Sequence, residues 1–314
     1  MPGSTEFVRA GSWVFATGLR GPAAPELFRR MADGLEAAGS SMSRVARVDQ
    51  YYPDFSCVAP YQAARKQAFQ GRQVAPSTSV VVSALGDASS QVDLQVLAAA
   101  TESGHRPEEI DTGLNRPDTS AYAPCLRVGD LIFVAGQLAR DASGALAARG
   151  VRAETQYIVR QRLLPALQAA GSGLDLILKA QAYVSRPHEM EAFREAWREA
   201  GSPPTTAVPV RHPAFLTREA TVEINVVAAH RSARARVREI AGKARLLDGL
   251  LFAGGVRDLA EASEIFAAAG GDLSHVVRGL FFHATGAAPA DPGFPHSAIE
   301  VEAGPAIDLW GYIP

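Results

Sequence analysis

The sequence has few of the features that mark specialised classes of protein. Among 314 residues it has two cysteines, Cys57 and Cys125, which form neither a disulfide framework nor a CxxC metal-binding motif. No apolar run approaches the roughly 18 residues that a membrane-spanning helix requires, and the first residues show no basic stretch followed by an apolar one. A glycine-rich phosphate-binding loop is also absent. We therefore expect a cytoplasmic protein without a structural metal or a cofactor.

An excess of charge of one sign is absent as well. The formal net charge is −2, with 31 Lys and Arg against 33 Asp and Glu, so no overall positive field draws the chain to nucleic acid or to an anionic membrane. A basic run at residues 232–238 contains no interleaved aromatic residues, and we interpret it as part of a solvated connector. A small molecule is therefore the expected partner.

What the sequence does contain is an internal repeat. An apolar stretch that ends in glycine occurs three times, and 118 residues separate Gly18 from Gly136 and Gly136 from Gly254. Each stretch is followed by a segment with apolar residues at helical spacing and then by a second apolar strand. The helical segments end in glycines suited to a left-handed helix terminus, which are Gly39, Gly171 and Gly270. The pattern predicts a mixed α/β fold of three tandem copies.

The copies differ in completeness. They span residues 1–105, 114–230 and 241–314, with connectors at 101–117 and 231–245. The first two copies continue with a second helix and two closing strands, whereas a glycine- and proline-rich stretch replaces the second helix in the third. Without that helix the third copy cannot bury its sheet alone, so we expect the copies to pack together as a single-chain pseudo-trimer. The alternative is three units that pack as independent beads.

The second copy carries a family resemblance. It opens with Val-Gly-Asp-Leu-Ile-Phe-Val-Ala-Gly-Gln at residues 128–137 and closes with Val-Glu-Ile-Asn-Val at residues 222–226. This order of elements resembles the RidA/YjgF family of reactive-intermediate deaminases. The resemblance implies a chorismate-mutase-like α/β sandwich that assembles as a trimer, with ligand pockets between neighbouring units. Three copies in one chain match the three subunits. We expect a single chain to form the trimer-like assembly as a monomer. Further association into a higher homo-oligomer stays open.

One family motif is altered. Family members that hydrolyse enamines and imines resemble one another in a Pro-x-Arg motif, whose guanidinium grips a substrate carboxylate bidentately. The arginine position is occupied by Thr78 in the first copy and by Thr206 in the second. In the third copy either His296 or Ser297 stands there, depending on one gap. Threonine can form hydrogen bonds but supplies no charge, so the chain resembles the arginine-less branches of the family.

Other residues are candidates to contact an anionic ligand. Arg211, beside His212, follows a closing strand, and Arg194 lies on the second helix of the second copy. The alternative for both arginines is a surface charge, which the abundance of arginine in this chain favours. Gly136, at the end of its strand, either exposes a backbone amide to a ligand or simply ends the strand.

The resemblance also implies an acid in the last strand of each copy that positions or activates the attacking water. The corresponding residues are Asp93, Glu223 and Asp308, each flanked by apolar residues that point to the opposite face of the strand. In a contact between neighbouring units that is partly shielded from water, such a carboxyl has a raised pKa and can transfer a proton. The alternative is a solvated or salt-bridged acid.

Tyr122 matches the active-site tyrosine of the family. It lies ahead of the opening strand of the second copy, where the equivalent position in the first copy is Ser4. A tyrosine in a turn can also serve packing alone. Cys125, three residues later, is interpreted as a small buried hydrophobic residue, with a nucleophile as the alternative.

These features favour a small-molecule hydrolase of the RidA type. We expect it to act on an imine, an enamine or a related C–N bond in a specialised pathway, with Glu223 activating water and Tyr122 orienting the substrate. One alternative is a non-catalytic module that binds a metabolite or a protein. Another is a chorismatase-like lyase or hydrolase built as a pseudo-trimer. The fold alone does not decide between them.

Overall fold

Three β-sheets form the framework of the computed structural model, which describes residues 6–69, 74–114, 122–214 and 217–314. The first sheet has the order β1-β2-β6-β3-β4. Strands β1 to β6 are Glu6–Ala10, Trp13–Gly21, Val45–Tyr52, Ser77–Val81, Ala84–Leu85 and Val92–Ala99. The short strand β5 does not join this sheet but the edge of the third one.

The second sheet has the order β11-β10-β12-β9-β8-β7, and the third has the order β13-β14-β15-β18-β16-β17-β5. Strands β7 to β12 are Glu108–Glu109, Cys125–Val128, Leu131–Gln137, Ile177–Val184, Thr205–Pro209 and Val222–Ala229. Strands β13 to β18 are Arg238–Ile240, Ala244–Leu247, Leu250–Val256, Val276–His283, His296–Glu300 and Ala306–Tyr312.

All three sheets share one topology. In each, an antiparallel hairpin pairs with the last strand, which in turn lies antiparallel to the first strand of a parallel pair. The parallel pairs are β3 with β4, β10 with β11, and β16 with β17. We call each sheet with its helices the first, second and third unit. The predicted mixed α/β fold with three related units is confirmed.

Helices cover one face of each sheet. They are α1 (Ala24–Ala37), α2 (Val58–Ala68), α3 (Val151–Tyr157), α4 (Leu164–Ala169), α5 (Met190–Trp197) and α6 (Leu259–Ala269), with a π-helical turn, Ile158–Leu163, between α3 and α4. In α1 the buried residues Leu27, Met31 and Leu35 recur at helical spacing and face the sheet. The glycines after α1, α4 and α6 have φ of +81°, +75° and +96°, as a left-handed helix terminus requires.

The third unit lacks a second helix, as predicted, and an aromatic side chain takes its place. Phe294, from the loop before β17, is 9% exposed and stacks on Phe281 with 6.0 Å between the ring centroids. Gly279 leaves the space for this ring, because a Cβ there would lie 2.9 Å from Phe294. The loop therefore covers the sheet with one phenyl ring where the other units use a helix.

The uncovered faces of the three sheets meet in a shared interior. A buried apolar cluster near the hairpins draws on all three units and includes Phe15, Phe133 and Phe252. A second cluster at the opposite end includes Tyr51, Tyr183 and Phe282. The units contact one another in a ring, β4 with β9, β11 with β15, and β17 with β2. The chain therefore packs as a closed pseudo-trimer, and the alternative of independent beads is wrong.

The predicted connectors are more structured than expected. Residues 101–117 contain β7, and residues 231–245 contain β13. Within the basic run, Arg234 and Arg236 form ion pairs with aspartates of the second and third units. Ser4 and residues 115–117 lie outside the described residues. In the described parts of the chain, no helix is both long enough and apolar enough to cross a membrane.

Replacing Phe294 with Ala tests the substitute for the missing helix. Removing this ring uncovers the sheet at Phe281, so we expect a loss of about 3 kcal/mol in the free energy of unfolding, at the lower end for a phenylalanine deletion. Urea unfolding followed by circular dichroism measures it. Ala288→Ser, at an exposed position in the same loop, is the control. A loss no larger than that of Ala288→Ser would contradict the role of Phe294 in covering the sheet.

Candidate functional site

Three seams lie between the units. We call the contact of β4 with β9 the first seam, that of β11 with β15 the second, and that of β17 with β2 the third. Strand register gives the equivalent positions in each. Thr78, Thr206 and Ser297 lie opposite Asp49, Gln181 and Leu280, respectively, on the neighbouring parallel strand. Ser297, and not His296, therefore stands at the position of the family arginine.

The three strand acids are not equivalent, which corrects the sequence-based expectation. Asp93 pairs with Tyr51, and Glu223 pairs with Tyr183 at the same level. In the third unit that level is occupied by Ala306. Asp308 lies two residues deeper, level with Gln95 and Asn225 of the other units. A shift of two residues keeps a side chain on the same face of a strand, so alternation alone could not detect it.

The glycines of the opening strands show a similar shift. Each of these strands carries a bulge opposite the last strand of its unit, and the second bulge residue is Gly18, Gly136 or Gly255. Gly254, which matched Gly136 in the sequence, is the first bulge residue. The repeat is therefore offset by one residue at this point in the third unit.

The second seam is closed by an ion pair. Asp308, which is fully buried, binds Lys179 and also accepts a hydrogen bond of 2.8 Å from Thr206 Oγ1. The backbone amide of Gly255 donates to the same hydroxyl at 3.0 Å. Burial lowers the pKa of Lys179 to about 7, with Asp308 opposing the shift. Both oxygens of Asp308 are thus engaged by protein, so this acid has a structural role and its predicted catalytic role is not supported.

The third seam is closed in a similar way. Asp93 is fully buried and binds Arg20. Its Oδ1 accepts hydrogen bonds from Gln95 Nε2 at 2.7 Å and from Ser297 Oγ at 3.1 Å. The carboxylate of Asp93 therefore fastens the third unit to the first, and it is not placed to activate water.

The first seam contains a cavity. Its volume is about 480 Å³, and α2 and β4 of the first unit and β9 and β12 of the second contribute to its walls. At the level of the motif Thr78 accepts a hydrogen bond of 2.8 Å from Asn225. The lining residues are Phe55, Val58, Ala59, Gln62, Arg65, Ser77, Ser79, Tyr122, Gly136, Leu138, Arg140, Ala214, Arg218 and Glu223. The cavity is therefore shared almost equally between two units.

Glu223 is the acid of this cavity. Its side chain is buried, and Oε2 has no hydrogen-bond partner among the described residues. Burial raises the pKa of Glu223 well above its usual value, and nearby Arg140 only partly offsets the rise. Gly136 makes room for the carboxyl group, since a Cβ at this position would lie 1.7 Å from Glu223 Oε1. The predicted role of Gly136 thus becomes a steric one.

Tyr122 lines the same cavity, as predicted. Burial, followed by the proximity of Glu223, raises the pKa of Tyr122, so the phenol stays neutral. The structure also adds Arg65 and Arg140, which the sequence did not indicate, because arginine is abundant in this chain and neither residue lies in a motif.

Three predicted ligand contacts lie elsewhere, which corrects the sequence-based expectation. Arg194 is exposed and pairs with Glu191 one helical turn away. Arg211 lines a separate depression of about 310 Å³. His296 contacts the carbonyl of Phe294 within its own loop.

Cys125 lies in the buried core of the second unit. Burial raises the pKa of Cys125 to about 12, as expected of a small buried thiol. Within the described ranges, no group of three or more His, Cys, Asp or Glu side chains is arranged to hold a metal ion.

Known proteins are similar to parts of this chain. The model of the family described as Endoribonuclease L-PSP matches residues 113–230. A yeast protein, YEO7, is 19% identical, covering 40% of this chain and 99% of its own, with a TM-score of 0.36. A putative endoribonuclease from Thermotoga maritima is 23% identical over 40% of this chain and 98% of its own, also with a TM-score of 0.36. No curated protein matches.

A chorismatase structure covers more of the chain. It is 12% identical and spans 72% of this chain and 79% of its own, with a TM-score of 0.58. At this identity the likeness concerns the fold alone. It shows that the arrangement of several units in one chain has a counterpart among solved structures.

The closure of the second seam is testable through its charge pair. Asp308→Asn removes the carboxylate that keeps the buried Lys179 protonated. The amine must then lose its proton or stay charged without a partner, so we expect a loss of up to about 3–5 kcal/mol in the free energy of unfolding. The double variant Lys179→Met/Asp308→Asn removes the buried amine as well and should recover part of that loss. Urea unfolding at neutral pH compares them. Equal stability of both variants would argue against a structural ion pair.

The raised pKa of Glu223 predicts a pH-dependent effect on stability. Because burial penalises the charged form, the contribution of this carboxyl is most favourable below the pKa of the unfolded chain, about 4.3, and is lost as the pH rises through the folded pKa. Glu223→Gln should therefore gain stability relative to the native chain as the pH increases from 4 to 8. Thermal unfolding measures the difference, with exposed Glu219→Gln as the control. A pH-independent difference would count against the raised pKa.

Proposed function

We propose that this chain is a small-molecule hydrolase acting on an imine, an enamine or a related C–N bond. The match of residues 113–230 to the family model described as Endoribonuclease L-PSP supports the proposal. The proposed site is the cavity of the first seam. The observation that carries the proposal is Glu223, a buried carboxyl with a raised pKa and an unpartnered oxygen, at the wall of the cavity. A carboxyl whose pKa is raised by burial keeps its proton to a higher pH than an ordinary glutamate, which suits it to general acid catalysis.

The proposed reaction uses this proton twice. Glu223 donates it to the imine nitrogen, or to the terminal carbon of an enamine to form the iminium ion. The resulting carboxylate then takes a proton from water as the water oxygen bonds to the carbon, and the C=N π electrons move to nitrogen. Glu223 then donates its proton to the amino nitrogen of the carbinolamine and takes the hydroxyl proton as the C–N bond breaks, so that ammonia leaves and the carbonyl product forms. Imine and water are thus converted to carbonyl compound and ammonia, and Glu223 recovers its proton.

Tyr122 orients the reactants in this scheme. Its phenol is neutral, lines the same cavity and can both donate and accept a hydrogen bond.

The scheme assigns one site per chain. Asp93 and Asp308, the other strand acids, are fully buried and bound to Arg20 and Lys179, so neither is available to move a proton.

Turnover of imines generated in situ from amino acids tests the proposal. Loss of the acid in Glu223→Gln should lower kcat/KM by roughly 10²–10⁴, the usual contribution of a general acid or base. The activity of the native chain should fall as the pH rises through the raised pKa of Glu223, because the donor form is lost. Release of ammonia against pH reports both effects.

Glu219→Gln, on the exposed loop before β12, is the matched control and should keep full activity. Full activity of Glu223→Gln would contradict the assignment of the acid. If no imine is hydrolysed and a metabolite copurifies with the chain, the cavity is a binding site without catalysis, and the hydrolase proposal fails.

A further inference from the structure

A buried arginine in the first seam has no acidic partner. Arg65, on α2, is 2% exposed. Its Nη1 donates to Ser77 Oγ at 3.1 Å, and Nη2 donates to the carbonyl of Ala75 at 3.0 Å. The buried Nε has no hydrogen-bond partner, and no carboxylate of the described residues forms an ion pair with this guanidinium.

Burial of Arg65 without a counter-charge lowers the stability of the folded chain when no ligand is bound. A buried ion without a counter-charge loses several kcal/mol of hydration that neutral hydrogen bonds do not fully restore. Burial lowers the pKa of Arg65, and the groups that oppose this shift are the neighbouring tyrosines Tyr61, Tyr52 and Tyr122. The cations of the other two seams, Arg20 and Lys179, each have a buried aspartate. The missing charge at Arg65 is therefore expected from a ligand.

The second unit provides an internal comparison. Trp197 on α5 occupies the place of Arg65 on α2, and its indole N–H donates to Thr205 Oγ1 at 2.8 Å. Thr205 in turn corresponds to Ser77, since each precedes the altered motif position by one residue. A neutral side chain therefore meets the packing and hydrogen-bonding needs of this position in a closed seam. The charge of Arg65 is the feature that distinguishes the seam with the cavity.

The rest of the cavity defines the other end of the ligand. Its walls include the apolar side chains of Phe55, Val58 and Leu138. The exposed guanidinium of Arg218 lies 4.5 Å from the centre of the Phe55 ring. Apolar walls around one buried cation are suited to an organic anion with an apolar or aromatic body.

We propose that Arg65 binds the carboxylate of a small organic acid whose apolar body lies against Phe55 and Val58. The guanidinium reaches the altered motif from the neighbouring helix and supplies the charge that Thr78 lacks. The inference rests on the proposed function in one respect, namely that the reacting C–N bond of such an acid lies at Glu223. It defines the substrate class as a carboxylate with an apolar side chain.

Benzoate and its neutral analogue benzamide are the probes. Benzoate should bind the native chain and raise its Tm, whereas benzamide should bind at least tenfold more weakly. Arg65→Met should weaken benzoate binding at least tenfold and abolish the preference over benzamide. Arg65→Lys, which keeps the charge but loses the planar fork, should retain part of the preference. Calorimetry measures the dissociation constants, and Arg194→Met, at an exposed arginine outside the cavity, should bind benzoate like the native chain.

The two proposals can fail separately because binding is measured without turnover. Failure of the native chain to bind benzoate, equal binding of benzamide, or unchanged binding by Arg65→Met would overturn the role of Arg65. If Arg65→Met does not fold, Arg65→Lys decides. A reduced preference of this variant for benzoate over benzamide supports the role of Arg65, and a preference equal to that of the native chain contradicts it. Glu223→Gln should still bind benzoate. Arg65-dependent binding without hydrolysis of any imine would overturn the proposed function while supporting this inference.

Discussion

Compensation of buried charge governs how the three sheets close around one interior. Each seam brings polar groups of neighbouring units out of water, and a buried ion is tolerated where a counter-ion or hydrogen bonds replace its hydration. Lys179 with Asp308 meets this condition in the second seam, and Arg20 with Asp93 meets it in the third. In the first seam, Glu223 forms no such ion pair with any of the described residues. Its carboxyl group and the buried guanidinium of Arg65 are separated by a cavity.

Fusion of the units into one chain makes this division possible. In a homotrimer every seam has the same residues, so a substitution that closes one site closes all three. Here the second seam contains an ion pair between two units, and the third contains an ion pair within the first unit whose aspartate also binds Ser297 of the third unit, whereas the first seam contains the cavity. The site needs α2 of the first unit and β12 of the second, so neither unit forms it alone.

The sequence predicted the architecture better than the site. The second apolar strand of each copy was predicted correctly, as β10 and β16 show, because a buried strand has a continuous run of apolar residues. Asp308 was misassigned because register depends on hydrogen bonds between strands, and a shift of two residues leaves the pattern unchanged. Arg65 could not be recognised, since what distinguishes it is the absence of a partner in three dimensions.

The comparison of Arg65 with Trp197 shows why the missing acidic partner of Arg65 points to a ligand. Both residues follow an aromatic residue by one helical turn, Tyr61 in α2 and Phe193 in α5, and both donate to the hydroxyl beside the altered motif. Because Trp197 serves the same position without charge, structure alone does not require a cation there. Thr78 on strand β4 carries no charge, and the neighbouring helix presents Arg65 to the same cavity. A threonine at this position therefore does not by itself exclude an anionic substrate.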